Sequence, residues 1–362
     1  MASKKQSLLF IPDITGFTEF VNETEVQHGQ HIISELLEII IDSNELEMKV
    51  SEIEGDAVLF FKHNEVPTFE EILEQVQKTF LNFHNHLKKY ESRRICPCGA
   101  CSTAINLSLK FVVHQGEIGF TKVKNIEKPF GSDLILVHKL LKNDVDSKDY
   151  VLLTNSFLPQ NGELKLHEPF DWVKLNQGKT NYAKIGEVSY QYLSLNHLKQ
   201  FITVPVPPPP PEKMKNPVRD SAFINGSMQS IFEEITNLEN RLNWIQDVNE
   251  LEFEKGKMNR IGTRHRCVLN NGVADFETVT NDFGKDKLVY GEHVLNAPLM
   301  KEMYIYFILE EQQELVNLTA ELHFKAFPVI GWIITPIIRK KMLKNLQRML
   351  KGIKAASERA AA

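Results

Sequence analysis

Two aspartates 43 positions apart, Asp13 and Asp56, sit where apolar runs give way to turn residues. Asp13 follows Leu8-Leu9-Phe10-Ile11-Pro12 and precedes Ile14-Thr-Gly16-Phe17-Thr18; Asp56 lies in Glu54-Gly55-Asp56-Ala57. Carboxylates delivered by a strand end and a hairpin turn suit a hard divalent cation, which takes oxygen ligands and bridges nucleotide phosphates. A second group is softer. Cys96-Pro-Cys98-Gly-Ala-Cys101 puts three thiols within six residues, and the chain's fourth cysteine is Cys267. Three thiols so close can converge on zinc, with a histidine or a water completing the shell; they can also be redox-active, or inert. His84 and His86 precede the loop and His114 follows it. His28 and His31, near the first helix, read as surface or capping residues.

These groups need elements to hold them. Leu8–Ile11 is continuously apolar, so Ser7–Ile14 is expected to be a buried strand. Ile32, Ile33, Leu36, Leu37, Ile40 and Ile41 recur at helical spacing, which predicts a helix over 30–44. Met48–Ile53 and Ala57–Lys62 read as a strand pair joined at Glu54-Gly55-Asp56. A second helix is expected over 68–90, a strand over Asn106–His114 ending in a turn at Gln115-Gly116, and a helix after Gly131. Strand, helix, hairpin, helix, strand, helix, strand is the order of an α+β sandwich with a mostly antiparallel sheet.

The run Pro205-Val-Pro-Pro-Pro-Pro-Pro211 donates almost no backbone hydrogen bonds and favours an extended spacer. It divides the 362 residues into domains at 1–204 and 218–362, with a linker over 205–217. In the second part a helix carrying Met228, Ile231, Phe232 and Ile235 precedes five or more short strands. A long helix over about 336–357 ends the chain. Apolar residues at 42% and charged residues at 25%, with a net charge of −5, describe a folded soluble chain without a nucleic-acid footprint. No secretory signal is legible near the N-terminus, and the apolar stretch from Phe327 to Ile338 is too short to span a bilayer, so a cytoplasmic location is expected.

The motifs of the first domain resemble the class III adenylate and guanylate cyclases. Asp13-Ile14-Thr-Gly16-Phe17-Thr18 matches their strand end, Gly55-Asp56 their hairpin, and His114-Gln-Gly116-Glu117 their H-x-G-E turn. Phe130-Gly131-Ser-Asp-Leu-Ile135-Leu-Val-His-Lys139 occupies the place of their F-G-x-x-V-N-x-A-x-R helix. The resemblance implies a ferredoxin-like, cyclase-type sandwich that works as a homodimer. It implies magnesium or manganese held by Asp13, Asp56 and the backbone at Ile14, and nucleotide contacts from Glu52, Gly55 and Lys128. Two departures bear on catalysis. Ile135 stands where those enzymes orient the ribose with asparagine, and Lys139 where an arginine steadies the transferring phosphate; lysine lacks the planar bidentate fork. The CPCGAC loop and the helix after Gly131 look closest to a bacterial family of uncharacterised cyclase-like proteins.

Ser227-Met-Gln-Ser-Ile-Phe232, Trp244 and Ile261-Gly262-Thr263-Arg264-His265 resemble the START-like, polyketide-cyclase-like superfamily. That resemblance implies a helix-grip domain around an apolar small molecule or lipid, with Phe276, Tyr290, Tyr304, Tyr306, Phe324 and Trp332 as lining candidates. The same aromatics can instead fill a core. Arg339, Lys340, Lys341, Lys344, Arg348, Lys351 and Lys354 make the last helix basic and amphipathic, suited to packing on its own sheet or to an anionic membrane surface. Two functions are foremost for the whole, and a third would place any chemistry in the helix-grip cavity, where no acid-base pair stands out among the lining candidates. One is a sensor or regulator that pairs a degenerate metal- and nucleotide-binding domain with a ligand-binding domain. The other is an active cyclase, making cyclic AMP or cyclic GMP, tuned by the second domain.

Overall fold

A computed structural model describes residues 5–124, 126–158, 169–206, 209, 211, 214–270, 272–284 and 287–360. The chain is α+β and divides into two compact units. The first comprises Met1–Lys89 and Ser102–Val204, the second Tyr90–Cys101 and Pro205–Ala362. The segment Tyr90–Cys101, read from sequence as part of the first domain, packs with the second unit.

In the first unit, β1 (Lys5–Thr15) is central, with β3 (Ala57–His63) on one side and β4 (Ser108–Val123) on the other, both antiparallel to it. The sheet runs β2-β3-β1-β4-β6-β8-β7, and β5 (Ile126–Phe130) pairs with β4. Its remaining strands are β2 (Lys49–Glu54), β6 (Tyr150–Thr154), β7 (Asn176–Tyr182) and β8 (Gly186–Ser194). The apolar run in β1 is continuous because both faces of the strand are covered. Leu9 and Ile11 join Leu59, Val112, Val137 and Leu152 in one core cluster. Phe10 turns to the opposite face, where it meets Phe60 and Phe111 at ring distances of 6.1 and 5.6 Å. Helix α1 (Phe17–Glu23) follows β1 directly, α2 (Val26–Asp42) lies against β3, and α5 (Ser132–Leu140) against β1 and β4. Between them come α3 (Phe69–Arg93) and the short α4 (Gly99–Thr103).

The turn expected at Gln115-Gly116 is not formed. β4 continues to Val123 because β1, 11 residues long, offers ladder partners past that point, with Ser7 opposite Gly116 and Lys5 opposite Ile118.

The second unit is a seven-stranded antiparallel sheet ordered β10-β11-β12-β13-β14-β15-β9. Its strands are β9 (Val218–Ile224), β10 (Val248–Glu252), β11 (Arg264–Leu269), β12 (Gly272–Gly284), β13 (Lys287–Val294), β14 (Met300–Gln312) and β15 (Leu315–Ala326). Helices α6 (Met228–Thr236) and α7 (Arg241–Trp244) connect β9 to β10. Ser227 caps α6 through a side-chain bond to the Ser230 N–H at 3.1 Å. Helix α8 (Pro328–Ala360) packs on β9, β15, α6 and α7 through Leu346, Leu350, Ile353 and Ala356. It begins eight residues before the expected start, with Pro336 inside it. Among the described residues no helix is long and apolar enough to cross a membrane.

Candidate functional site

Asp13 and Asp56 are brought together by the β1–β3 ladder. Asp13 lies opposite Ala57, and the Ile14 N–H donates to the Asp56 carbonyl at 3.1 Å. Burial raises the Asp13 carboxyl, and raises Asp56 to about 6 with the neighbouring Asp13 charge adding to the effect. A third residue joins them. Lys110 on β4 stands opposite Asp13 in the ladder, with Nζ 2.8 Å from Asp13 Oδ2, and donates to the Leu141 carbonyl at 3.0 Å. This ammonium opposes the effect of burial on Asp13 without cancelling it.

The residues expected to hold a nucleotide are dispersed over β2, β5 and α5. Gly55 takes a left-handed φ of 63°, as the β2–β3 turn requires. Glu52 meets His138 of α5, whose Nε2 is 3.3 Å from Glu52 Oε1 and whose Nδ1 is 3.5 Å from Glu54 Oε2. Lys128 is exposed on β5 opposite Thr121. On α5, Val137 and Leu140 face the core, while Ile135, 57% exposed, and Lys139 face outward. His114 is buried, 3.3 Å from Asp133 Oδ1 and 2.9 Å from the Thr154 hydroxyl, so it braces β4, β6 and α5.

Cys96, Cys98 and Cys101 are all buried, and their sulfurs lie within 4.8 Å of one another. Of the histidines flanking the loop, His84 faces Asp149 at 3.8 Å and His86 binds Glu35 at 2.7 Å. His28 is 8% exposed, so it is not the surface residue expected.

In the second unit the aromatic candidates divide between the two faces of the sheet. Tyr290 and Phe307 are cross-strand partners stacked at 6.3 Å, and Phe307 meets Trp244 of α7 at 6.1 Å. With Phe276 they lie on the face turned to the helices. Tyr304 pairs with His293 and Tyr306 with Gly291, which puts both tyrosines on the other face, beside His323. The expectation that all line one cavity is thereby corrected: side chains alternate with period two, and the register sets Tyr304 and Tyr306 opposite to Tyr290. Phe324 is half-buried, and the Trp332 side chain lies outside the described residues.

The helix-facing side also holds a polar cluster. Arg241 of α7 grips both Glu292 oxygens, with Nη2 2.7 Å from Oε2, and the Tyr290 hydroxyl donates to Glu292 Oε1 at 2.7 Å. Burial alone would raise the Glu292 carboxyl; Arg241 and His265 hold it below the usual range. His265, stacked on Phe276 at 4.9 Å, is pushed down to about 4 by burial and by Arg241. Neither of its ring nitrogens has a hydrogen-bond partner among the described residues.

With this geometry in hand, the chain can be set beside known proteins. It is 30% identical over 182 residues to the uncharacterized protein Rv2561/Rv2562 of Mycobacterium tuberculosis, covering 50% of this chain and 78% of that one. The chain belongs to the family of that mycobacterial protein. A profile described as "Protein of unknown function (DUF2652)" matches residues 33–150. Among solved structures, the adenylyl cyclase CyaB from P. aeruginosa is similar at 12% identity and a TM-score of 0.36, over 54% of this chain and 96% of that one. A protein from Thermus thermophilus, TTHA0849, is similar at 17% identity and a TM-score of 0.34, over 40% of this chain and 99% of that one.

Sequence reading missed Lys110, His138 and the Arg241–Glu292 pair. Lys110 carried a faint signal as a lone cation in the apolar strand Leu107–Val113. Arg241, in a polar stretch, and Glu292 carried none; their pairing exists only once α7 lies over β13.

Proposed function

We propose that this chain is a regulatory or sensor protein: a cyclase-like domain retains the two carboxylates but not the catalysis, and a helix-grip domain takes an apolar small molecule. The reading rests on Lys110. Its ammonium, anchored by Asp13 Oδ2 at 2.8 Å and the Leu141 carbonyl at 3.0 Å, gives Asp13 a tethered cation where the cyclase resemblance calls for a divalent ion. A metal would have to displace that ammonium, so Asp13, Ile14 and Asp56 fit magnesium or manganese poorly. Outward-facing Ile135 supplies no hydrogen bond for a ribose, and Lys139 gives charge without a bidentate fork. Phosphoryl chemistry depends on positioning and electrostatic stabilisation, and both are thinned. In the second domain, the buried and unsatisfied His265 beside Arg241–Glu292 supports a ligand that is mostly apolar with one polar group.

The test uses the full chain with ATP or GTP and manganese. No cyclic product above the protein-free control is expected. Lys110→Ala should bind manganese at least about 10-fold more tightly by electron paramagnetic resonance, since Asp13 then has no competing cation. Robust manganese-dependent cyclisation that disappears in Asp13→Ala would instead make the chain an active cyclase. For the second domain, solvent extraction and mass spectrometry should recover one such small molecule. A chain that yields none and binds no hydrophobic fluorescent probe would lose that part of the reading.

A further inference from the structure

The loop after α3 serves neither the carboxylate pair nor the His265 cluster, yet its three cysteines are 2%, 7% and 4% exposed. Three observations converge on their sulfurs. Sγ of Cys96, Cys98 and Cys101 lie within 4.8 Å of one another, close enough for all three to share one small ion. None of the three is in a disulfide. N–H groups aim at two of the sulfurs: the Cys98 amide donates to Cys96 Sγ at 3.3 Å, the Cys101 amide to Cys98 Sγ at 3.4 Å, and the Gln229 side chain to Cys96 Sγ at 3.2 Å. Donors directed at sulfur stabilise thiolate over thiol, and buried thiolates need a cation. The loop is also fastened. Arg94 bridges to Arg260, the Ile261 N–H donates to the Arg93 carbonyl at 2.9 Å, and the Arg260 guanidinium lies 5.0 Å over the Tyr90 ring.

We propose that Cys96, Cys98 and Cys101 hold one zinc ion as three thiolate ligands, with a nitrogen or oxygen donor in the fourth position and Gln229 as a positioning residue. Loading releases three thiol protons to solvent, and no electron is transferred. Thiolates select zinc over magnesium or calcium, whose ligands are oxygens. A four-cysteine iron–sulfur cluster is disfavoured, because Cys267 is not in this group and sits where Arg241 and Glu292 influence it.

The full chain, purified under reducing conditions, should carry about one zinc per molecule by elemental analysis. X-ray absorption at the zinc edge should give three sulfur neighbours at about 2.3 Å and one lighter neighbour. Cys98→Ser should lower zinc affinity by at least about 100-fold. Gln229→Ala, which keeps every sulfur, should lower it about 10-fold, the lower end of the effect of losing an outer-shell partner. Zinc-replete protein in which three thiols react freely with a thiol reagent would overturn the proposal. So would full zinc retention in Cys98→Ser, or fewer than three sulfur neighbours.

Discussion

The Asp56 carboxyl, raised to about 6 by burial and by Asp13, binds its proton more tightly in the folded chain than in the unfolded one, where the ordinary value is 3.8. The sign follows: above pH 6 the folded state carries a carboxylate it disfavours, and stability rises as pH falls from 6 toward 4. Asp56→Asn removes that cost. Its melting temperature should exceed the parent's at pH 7.5 by a few degrees, on the order of 2–4 °C per kcal/mol, with the gap closing by pH 4. Equal melting curves at both pH values would mean that the carboxylate is solvated well enough not to feel Asp13. Both aspartates were legible in the sequence because each interrupts an apolar run at a turn. The role of Lys110 was not, faint signal though the lone cation gave, because it depends on which strand lies beside β1, and that is a property of the sheet. The same limit hid His138, whose ring reaches across from α5 to β2.

At the level of elements, the legible ones are those buried on both faces or along one helical stripe, such as β1, β3, α2 and α3. Edge strands gave weaker signals. β7 reads Asn-Gln-Gly-Lys-Thr-Asn-Tyr and buries only Thr180 and Tyr182, and β10 buries none of its five residues. An edge strand with one solvated face and a polar sequence blunts aggregation and, for the same reason, leaves little periodic apolar signal. Helix α8 was recognised from its stripe, but its closest approach is invisible in the sequence. A Cβ on Gly352 would lie 2.0 Å from the Trp244 carbonyl oxygen and 2.9 Å from its carbon. Both are backbone atoms that cannot rotate away. Gly352→Ala should therefore destabilise the chain by about 1–3 kcal/mol or more, the cost of overpacking. Helix propensity alone predicts the opposite, a gain of up to about 1 kcal/mol. Chemical denaturation separates the two: a midpoint shifted upward would show that α8 does not need the glycine to meet α7.

Across the whole molecule, the two compact units are not two contiguous stretches divided at the linker prolines. Tyr90–Cys101 precedes the linker by more than a hundred residues, yet belongs to the unit that follows it. Linear reading assigns a segment to the domain that surrounds it in the chain, so an excursion of this kind leaves no trace in composition or periodicity. It has a consequence for stability. A piece comprising residues 218–362 keeps the sheet and α8 but loses the partners that Tyr90–Cys101 provides: the Arg94–Arg260 bridge, the Arg93 carbonyl for Ile261, the Tyr90 ring under Arg260 and the Cys96 sulfur for Gln229. At about 0.5–1.5 kcal/mol for each of the three hydrogen-bonded partners and about 0.5–2 kcal/mol for the cation–π contact, the loss is on the order of 2–6 kcal/mol. The isolated piece should still unfold cooperatively, because the buried residues Ile231, Phe232, Trp244, Tyr290, Phe307, Leu350 and Ile353 all lie within it. Its melting temperature should fall below that of the corresponding transition in the full chain, and a synthetic peptide spanning 88–103 should restore part of the difference in a concentration-dependent way. Identical transitions with and without the peptide would show that Tyr90–Cys101 contributes nothing to that unit's stability, and that the proline boundary alone defines it.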